Sequence, residues 1–150
     1  MLLCEHVMSG GEFRVSLGEQ HSVILKEDGS VWSTAIKLRG LVSANDLSTY
    51  FTRVIPEDAK AVSAGSAYTL VMKQDDSVWA MGRNYKGQLV GTRERKDTFL
   101  SVQTIVGAKT VIAGGIHSML LTHHDHVWAT GWNKYGQLGD GLATSYRCRF

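Results

Sequence analysis

The chain has 150 residues, of which 43% are hydrophobic and 20% are charged, and its formal net charge is +2. This length buries one moderate core, so one domain over residues 1–150 is expected, and so small a net charge does not predict nucleic-acid binding. Sixteen glycines against a single proline indicate many tight turns between short elements, which favours all-β structure.

Three segments of the sequence align with one another from end to end. They are VSLGEQHSVILKEDGSVWSTA (15–35), VSAGSAYTLVMKQDDSVWAMG (62–82) and VIAGGIHSMLLTHHDHVWATG (111–131). A glycine and a tryptophan recur at intervals of 47 and 49 residues, as Gly18, Gly65 and Gly114 and as Trp32, Trp79 and Trp128. Agreement at this many positions in three copies indicates a structural repeat.

Each copy contains the same elements in chain order. In the second copy, AVSAG predicts an inner strand, and TLVMK and SVWA predict the two strands of a hairpin. SVQTI, at 101–105, predicts an outer strand, and YFTRV, at 50–54, is its equivalent one copy earlier. The sequence therefore predicts a unit of four antiparallel strands, repeated about every 48 residues.

The predicted hairpin turns lie at the same place in the three copies. The Asp-Gly pair of the first copy favours a two-residue turn, because type I′ turns need positive φ at both central positions. The turn pairs are Asp28-Gly29, Asp75-Asp76 and His124-Asp125. A four-stranded repeat of this length is typical of a propeller blade, since one small sheet must stack radially to bury both faces.

The predicted fold is an all-β partial propeller of about three four-stranded antiparallel blades, at residues 13–60, 61–109 and 110–150. The repeated tryptophans are expected to fill the space between neighbouring blades. Closed propellers need at least about four blades, so the chain is expected to belong to a longer propeller or to self-associate. The outer faces of the two end blades are predicted to be unprotected.

The repeat also resembles a known family. The pattern G-x-x-H-S…D-G-x-V-W…G-x-N-x-x-G-Q-L-G is similar to the repeat of the regulator of chromosome condensation, the RCC1-like repeat. Residues 18–22, 114–118 and 131–139 carry it best, and it covers roughly residues 13–141. The resemblance implies a β-propeller built from RCC1 repeats, seven-bladed in most members, with one domain of such repeats in this chain.

The founding member of that family is a guanine-nucleotide exchange factor for the small GTPase Ran. Acidic residues and histidines in its G-x-x-H loops contact the partner, and the matching positions here make Glu19, His21 and His117 candidate binding residues. The two histidines hold the same repeat position, with Tyr68 in the second copy. Repetition favours a hydrogen-bonded structural role for them, because a functional site usually breaks the symmetry of a repeat.

The departures from the repeat are the other candidates for a partner-binding surface. They lie in GRNYKGQL (82–89) and GWNKYGQL (131–138), whose shared Gly-Gln-Leu is interpreted as architecture. The residues that differ are Arg83, Tyr85 and Lys86 in the second copy and Trp132, Lys134 and Tyr135 in the third. Aromatic and cationic side chains on loops suit protein recognition, and packing around the turn is the alternative explanation.

Neither catalytic machinery nor a cofactor site is predicted. The sequence has no phosphate-binding G-x-x-x-x-G-K-[ST] loop, no dinucleotide motif and no G-x-S-x-G elbow, so a non-enzymatic binding protein without cofactors is expected. His123, His124, Asp125 and His126 are neighbours in a tight turn and point in different directions, so no metal site is predicted.

The sequence also supports predictions about the cellular compartment and about the kind of partner. No apolar run approaches the roughly 18 residues of a membrane helix, and the N-terminus lacks the pattern of a signal peptide, so an intracellular protein of the cytoplasm, the nucleus or both is expected. The leading hypothesis is a protein-interaction module. The alternatives are an exchange factor for a Ran-type small GTPase with chromatin association, and a truncated copy without independent function.

Overall fold

The structure, a computed structural model, describes residues 11–34, 50–89, 107–142 and 147–148. These ranges contain short β-strands joined by turns, and no helix in them is long and apolar enough to cross a membrane. The strands are β1 Phe13–Leu17, β2 Ser22–Lys26, β3 Val31–Ser33, β4 Thr52–Ile55, β5 Ala59–Ala64, β6 Tyr68–Lys73, β7 Val78–Gly82, β8 Ala108–Ala113, β9 His117–Thr122, β10 Val127–Gly131 and β11 Arg147–Cys148.

The strands form three antiparallel sheets that follow one another along the chain. The first has the order β1-β2-β3-β4, the second β5-β6-β7 and the third β8-β9-β10-β11. Each sheet is a blade, so the predicted all-β architecture of antiparallel blades is confirmed. The outer strand predicted from YFTRV is β4, whereas the one predicted from SVQTI lies outside the described residues. The predicted blade limits at 60/61 and 109/110 stay a prediction.

The first hairpin turn differs from the type I′ turn that its Asp28-Gly29 pair predicts, and the other two have the same form. Positive φ occurs only at the second residue of each pair, in Gly29, Asp76 and Asp125. The amide of that residue donates to the carbonyl three positions earlier, for instance from Gly29 to Lys26 at 3.0 Å. The Lys26 amide also donates to the Ser30 carbonyl at 3.0 Å, so the connections are three-residue loops with a left-handed last position, which aspartate tolerates better than most residues. The Asp75 carboxylate closes its own loop by accepting from the Ser77 amide at 2.9 Å.

The hydrophobic core lies between the blades, because alternate residues of each strand point to opposite faces of the sheet. In β6, Leu70 and Met72 face the third blade, and Val71 faces the first. One cluster joins the second and third blades: Tyr68, Leu70, Met72, Val78, Ala80, Leu89, Ala108, Val111 and Leu120. The other joins the first and second: Val23, Leu25, Val31, Ala59, Ala64, Val71 and Met81.

The repeated tryptophans lie on the face that each blade turns toward its predecessor. Trp79 packs against the core shared with the first blade, and Trp128 packs against the core shared with the second. This confirms the predicted position between blades for these two residues. Trp32 occupies the equivalent place on the first blade, where its indole Nε1 donates to the Ser30 hydroxyl at 3.0 Å and the Lys26 ammonium lies 5.0 Å from the ring centroid.

Candidate functional site

The predicted binding residues meet at one end of the three blades. Strands β6 and β7 of the second blade bring the loop at 65–67 beside the turn at 82–89, since Tyr68 pairs with Gly82. The Arg83 amide donates to the Ala67 carbonyl at 2.9 Å, and the same bond joins Trp132 to Ile116 in the third blade. We call this end the loop face, defined by residues 18–21, 65–68, 82–89, 114–117 and 131–138.

The glycine and the ring of each G-x-x-H loop lie in direct contact. A Cβ added to Gly18 would come within 2.3 Å of the His21 imidazole, and one added to Gly65 would come within 2.1 Å of the Tyr68 ring. Gly114 stands in the same relation to His117, at 2.4 Å. Any side chain at these positions would displace the ring, so the spacing of glycine and aromatic residue is a packing requirement.

These rings link each blade to the next. The His21 Nε2 lies 2.8 Å from the Thr69 hydroxyl of the second blade, and His21 is only 4% exposed. In the second blade, the Tyr68 hydroxyl donates to the His117 carbonyl of the third blade and lies 3.0 Å from the Ser118 hydroxyl. The ring position is thus the polar connection between neighbouring blades, and the hydroxyl that it meets is one repeat further along.

Burial changes the proton affinity of both rings. The buried Nδ1 of His21 has no hydrogen-bond partner, so a protonated imidazole would place a charged N–H where nothing accepts it. Burial therefore lowers the pKa of His21 from 6.5 to about 4. The ring is neutral at physiological pH, and its Nε2 shares a hydrogen bond with the Thr69 hydroxyl. Burial also raises the pKa of Tyr68 above its usual range, which keeps the phenol protonated.

The two turns at 82–89 and 131–138 share one rigid framework. A fully buried asparagine accepts from the amide five residues later, Asn84 from Leu89 and Asn133 from Leu138, both at 2.9 Å. The side-chain carbonyl of Gln88 accepts from the Lys86 amide at 2.9 Å, and Gln137 binds the Tyr135 amide in the same way. Side-chain amides therefore satisfy the amides of the loop and fix its path.

The second-blade turn is also attached to the third blade. The Ser118 hydroxyl donates to the Gln88 carbonyl at 2.7 Å, and the Thr130 hydroxyl donates to the Gly87 carbonyl at 2.8 Å. Leu89 is fully buried in the core between the two blades. The Gly-Gln-Leu segment is thus part of the blade contact, as its interpretation as architecture requires.

The residues that differ between the turns project from this framework. Tyr85 is 41% exposed and Tyr135 is 74% exposed, and the ammonium of a neighbouring lysine lies over each ring, at 5.9 Å for Lys86 and 5.5 Å for Lys134. Trp132 packs edge-on against Tyr135, with the ring centroids 5.2 Å apart. The loop face therefore presents an aromatic and cationic surface on a fixed backbone.

The remaining candidates lie on the same face. Glu19 is exposed, and its carboxylate accepts from the Ser66 hydroxyl of the next blade. Arg83 is exposed, whereas His117 is half-buried. His21 lies inside the blade contact, so it acts on this face by holding the first two blades together. Whether these residues bind a partner stays a prediction.

Sequence reasoning missed the two asparagines. Asn84 and Asn133 are 0% exposed, and they organise the turns on which the candidate residues lie. Asn133 also donates from Nδ2 to the Asp140 carboxylate at 3.0 Å and to the Leu142 carbonyl at 2.7 Å. The sequence does repeat an asparagine at the same place before Gly-Gln-Leu in both turns. This repetition could have indicated a structural role, but a polar residue in a loop does not by itself show that its side chain is buried.

The histidine cluster lies at the opposite end of the blades. The His123 Nε2 is 3.1 Å from Asp76 Oδ2, and Asp76 also accepts from the Lys60 ammonium, which lowers the pKa of this carboxyl. Within the ranges that the structure describes, histidine, cysteine, aspartate and glutamate form no group of three or more that could hold a metal ion. The contact between His123 and Asp76 joins the second and third blades.

Comparison with known proteins identifies the repeat. The family description "Regulator of chromosome condensation (RCC1) repeat" matches residues 59–88. Human WBSCR16 has a similar structure, with a TM-score of 0.75 and 22% identity over 92% of this chain and 40% of that protein. Yeast RCC1 (Prp20), solved with Kap60, has a TM-score of 0.68 and 18% identity over 90% of this chain and 34% of that protein.

A second structure of Prp20p, from Saccharomyces cerevisiae, has a TM-score of 0.64 and 19% identity over 83% of this chain and 32% of that one. The chain therefore spans 40% or less of the length of these relatives. No curated protein matches it by sequence. Sheets, repeats and structural relatives together define a β-propeller repeat protein. Its repeat is of the RCC1 type, and its fold is that of an RCC1-like propeller.

Proposed function

We propose that this chain is a protein-interaction module, whose loop face binds a partner protein through the two turns. The observation that carries the proposal is the contrast within each turn. Asn84 and Asn133 are fully buried, whereas Tyr85 and Tyr135 stand exposed on the same short segments. A fixed backbone that presents exposed aromatic side chains loses little conformational entropy on binding, and tyrosine is among the residues that contribute most to protein interfaces.

The charge of this surface indicates the chemistry of the partner. Arg83, Lys86 and Lys134 lie beside the two tyrosines, and within the described residues none of the three forms an ion pair with a carboxylate. Cations that are unpaired in the free protein can pair with carboxylates of a partner and accelerate its association. The surface therefore suits a protein segment with acidic side chains next to an apolar one.

The test compares binding by the native chain and by a Tyr85→Ala/Tyr135→Ala variant. Immobilised chains are exposed to a cell extract, and proteins retained by the native chain are measured quantitatively and then titrated one by one. We expect an affinity at least about tenfold weaker for the variant, because truncated interface tyrosines typically cost more than about 1 kcal/mol. Tyr50→Ala is the matched control, since Tyr50 is 81% exposed and belongs to neither turn. Equal retention by all three chains would contradict the proposal.

Nucleotide exchange on a Ran-type GTPase is the second candidate, supported by the exposed carboxylate of Glu19 on the same face. The structurally similar Prp20p of Saccharomyces cerevisiae binds Gsp1p and histones. The same preparations are mixed with the GTPase carrying fluorescent GDP. Exchange activity predicts faster GDP release that Glu19→Ala reduces. Unchanged release at micromolar protein would remove this candidate and leave the interaction module untouched.

A further inference from the structure

A cleft of about 270 Å³ lies between the first and second blades, at the end opposite the loop face. Leu25 and Ala59 line it and are buried, and the charged residues Glu12, Arg14 and Glu27 line it and are exposed. Its walls come from two blades that pack against each other within the described residues. The cleft is therefore a feature of a contact between blades, distinct from the outer faces of the first and third blades.

The cleft lies where the contact between these two blades departs from the repeat. Between the second and third blades, Asp76 Oδ2 lies 3.1 Å from His123 Nε2 and bridges the two sheets. One repeat earlier the same two positions are Gly29 and Gln74, which cannot form an ion pair. Gln74 lines the cleft. The first and second blades thus lack the bridge that joins the second and third at this end.

The charges of the cleft are also particular to the first blade. Arg14 corresponds to Ala61 of the second blade, and Glu27 corresponds to Gln74. Ala61 packs against the core between the second and third blades, so a small apolar side chain suffices at this repeat position. Blade packing therefore requires neither charge, because the next pair of blades is built without them. A residue that departs from the repeat without serving the blade contact is a candidate for binding.

Arg14 reaches from the first blade to the second. Its Nη1 lies 3.5 Å from the Lys60 carbonyl, which is the long limit of a hydrogen bond. A guanidinium has five N–H donors in a planar fork that matches a carboxylate, so most of its donors remain available to a ligand. The other two cations of the cleft are engaged, since the Lys60 ammonium pairs with Asp76 and the Lys26 ammonium lies 5.0 Å from the centroid of the Trp32 ring.

The carboxylates of the cleft belong to the first blade. A Cβ added to Gly11 would come within 2.6 Å of Glu27 Oε2, which places this carboxylate beside the start of β1. The Glu27 amide donates to the Glu12 carbonyl at 3.1 Å, so the two acidic residues are neighbours across the sheet. In the part of the chain that the structure describes, neither carboxylate forms an ion pair, with Arg14 or with another cation. The cleft thus holds charges of both signs that do not neutralise each other.

We propose that this cleft binds a small zwitterion, a molecule with a carboxylate and an ammonium group a few bonds apart, as in a free amino acid. Arg14 donates to the carboxylate of the ligand, and Glu12 and Glu27 accept from its ammonium group. A ligand with a single charge is attracted by one side of the cleft and repelled by the other, so the pair of charges is what the cleft selects. The apolar surface of Leu25 and Ala59 suits a short side chain.

The test titrates the chain with alanine and follows its backbone amides by NMR. We expect saturable shifts at the residues that line the cleft, and a dissociation constant about tenfold larger for Arg14→Gln and for Glu27→Gln, because each variant loses a charge-assisted hydrogen bond to the ligand. Arg53→Gln and Glu57→Gln are the matched controls, since each removes the same charge from an exposed residue outside the cleft. Urea unfolding verifies that each variant folds.

Two analogues of alanine identify the charges that the cleft recognises. N-acetylalanine lacks the ammonium group and alaninamide lacks the carboxylate, so each should bind about tenfold more weakly than alanine. The proposal is overturned if alanine gives no saturable shift, if either analogue binds as tightly as alanine, or if the two cleft variants bind alanine like the two controls. None of these outcomes affects partner binding by the loop face, which the tyrosine variants test separately.

Discussion

At the scale of single residues, repetition distinguishes packing from recognition. The recurrence of His21 and His117 predicts a hydrogen-bonded structural residue, and the contact of His21 with Thr69 at 2.8 Å confirms it for the first copy. The sequence could not show the reason for the spacing, which is that the ring lies where the Cβ of Gly18 would be. Contacts of this kind depend on the path of the backbone between two residues, and composition does not reveal it.

The neutral state of His21 predicts how stability depends on pH. Burial lowers its pKa to about 4 from an ordinary value of 6.5, which the unfolded chain retains. As the pH falls below 6.5, His21 becomes protonated in the unfolded state, whereas in the folded state it becomes protonated only near pH 4. The contribution of His21 is complete above pH 6.5 and is lost progressively as the pH falls through this window.

Urea unfolding of the native chain and of His21→Gln, at several values between pH 7.5 and 4, measures this effect. The difference in unfolding free energy between the two chains should shrink as the pH falls, because glutamine does not titrate. Carboxylates such as Asp76, whose pKa the Lys60 ammonium lowers, titrate equally in both chains and cancel in the difference. A difference that is constant over the whole range would contradict a neutral, buried imidazole.

At the scale of elements, the turns were only partly predictable. The sequence predicts that Gly-Gln-Leu is architecture, and the burial of Gln88 and Leu89 against the third blade agrees with that interpretation. It does not predict the buried asparagine, because Asn is common both in exposed turns and inside loops. The type I′ hairpin predicted from Asp28-Gly29 was wrong for a related reason: the same residues suit a longer loop with one left-handed residue.

The framework of the turn predicts a large effect from a small substitution. Asn84→Ala leaves the Leu89 amide buried without its acceptor, which should lower the free energy of unfolding by about 1–3 kcal/mol. Tyr85→Ala, one residue further along, removes an exposed ring and should change it by no more than about 0.5 kcal/mol. Urea unfolding of the two variants separates framework from surface. Equal losses for both would mean that the asparagine does not organise the turn.

At the scale of the whole molecule, the repeat made the fold predictable from one sequence. Three aligned copies specify identical sheets, and a residue at one repeat position has the same surroundings in each blade as long as both neighbours are present. Within the described residues, this rule fails where a position faces no neighbouring blade. Val31 and Val78 are fully buried, whereas Val127, at the same repeat position, is 69% exposed. The sequence cannot distinguish these three valines, because their difference lies in the next blade.

The three valines predict how stability is distributed over the molecule. Val31→Ala and Val78→Ala each leave a cavity between two blades and should lower the free energy of unfolding by about 2 kcal/mol. Val127→Ala removes the same two methyl groups from an open face, so the monomer should change by less than about 0.5 kcal/mol. Urea unfolding at low protein concentration measures all three. A cost for Val127→Ala as large as that for Val78→Ala would instead place Val127 in a core between blades.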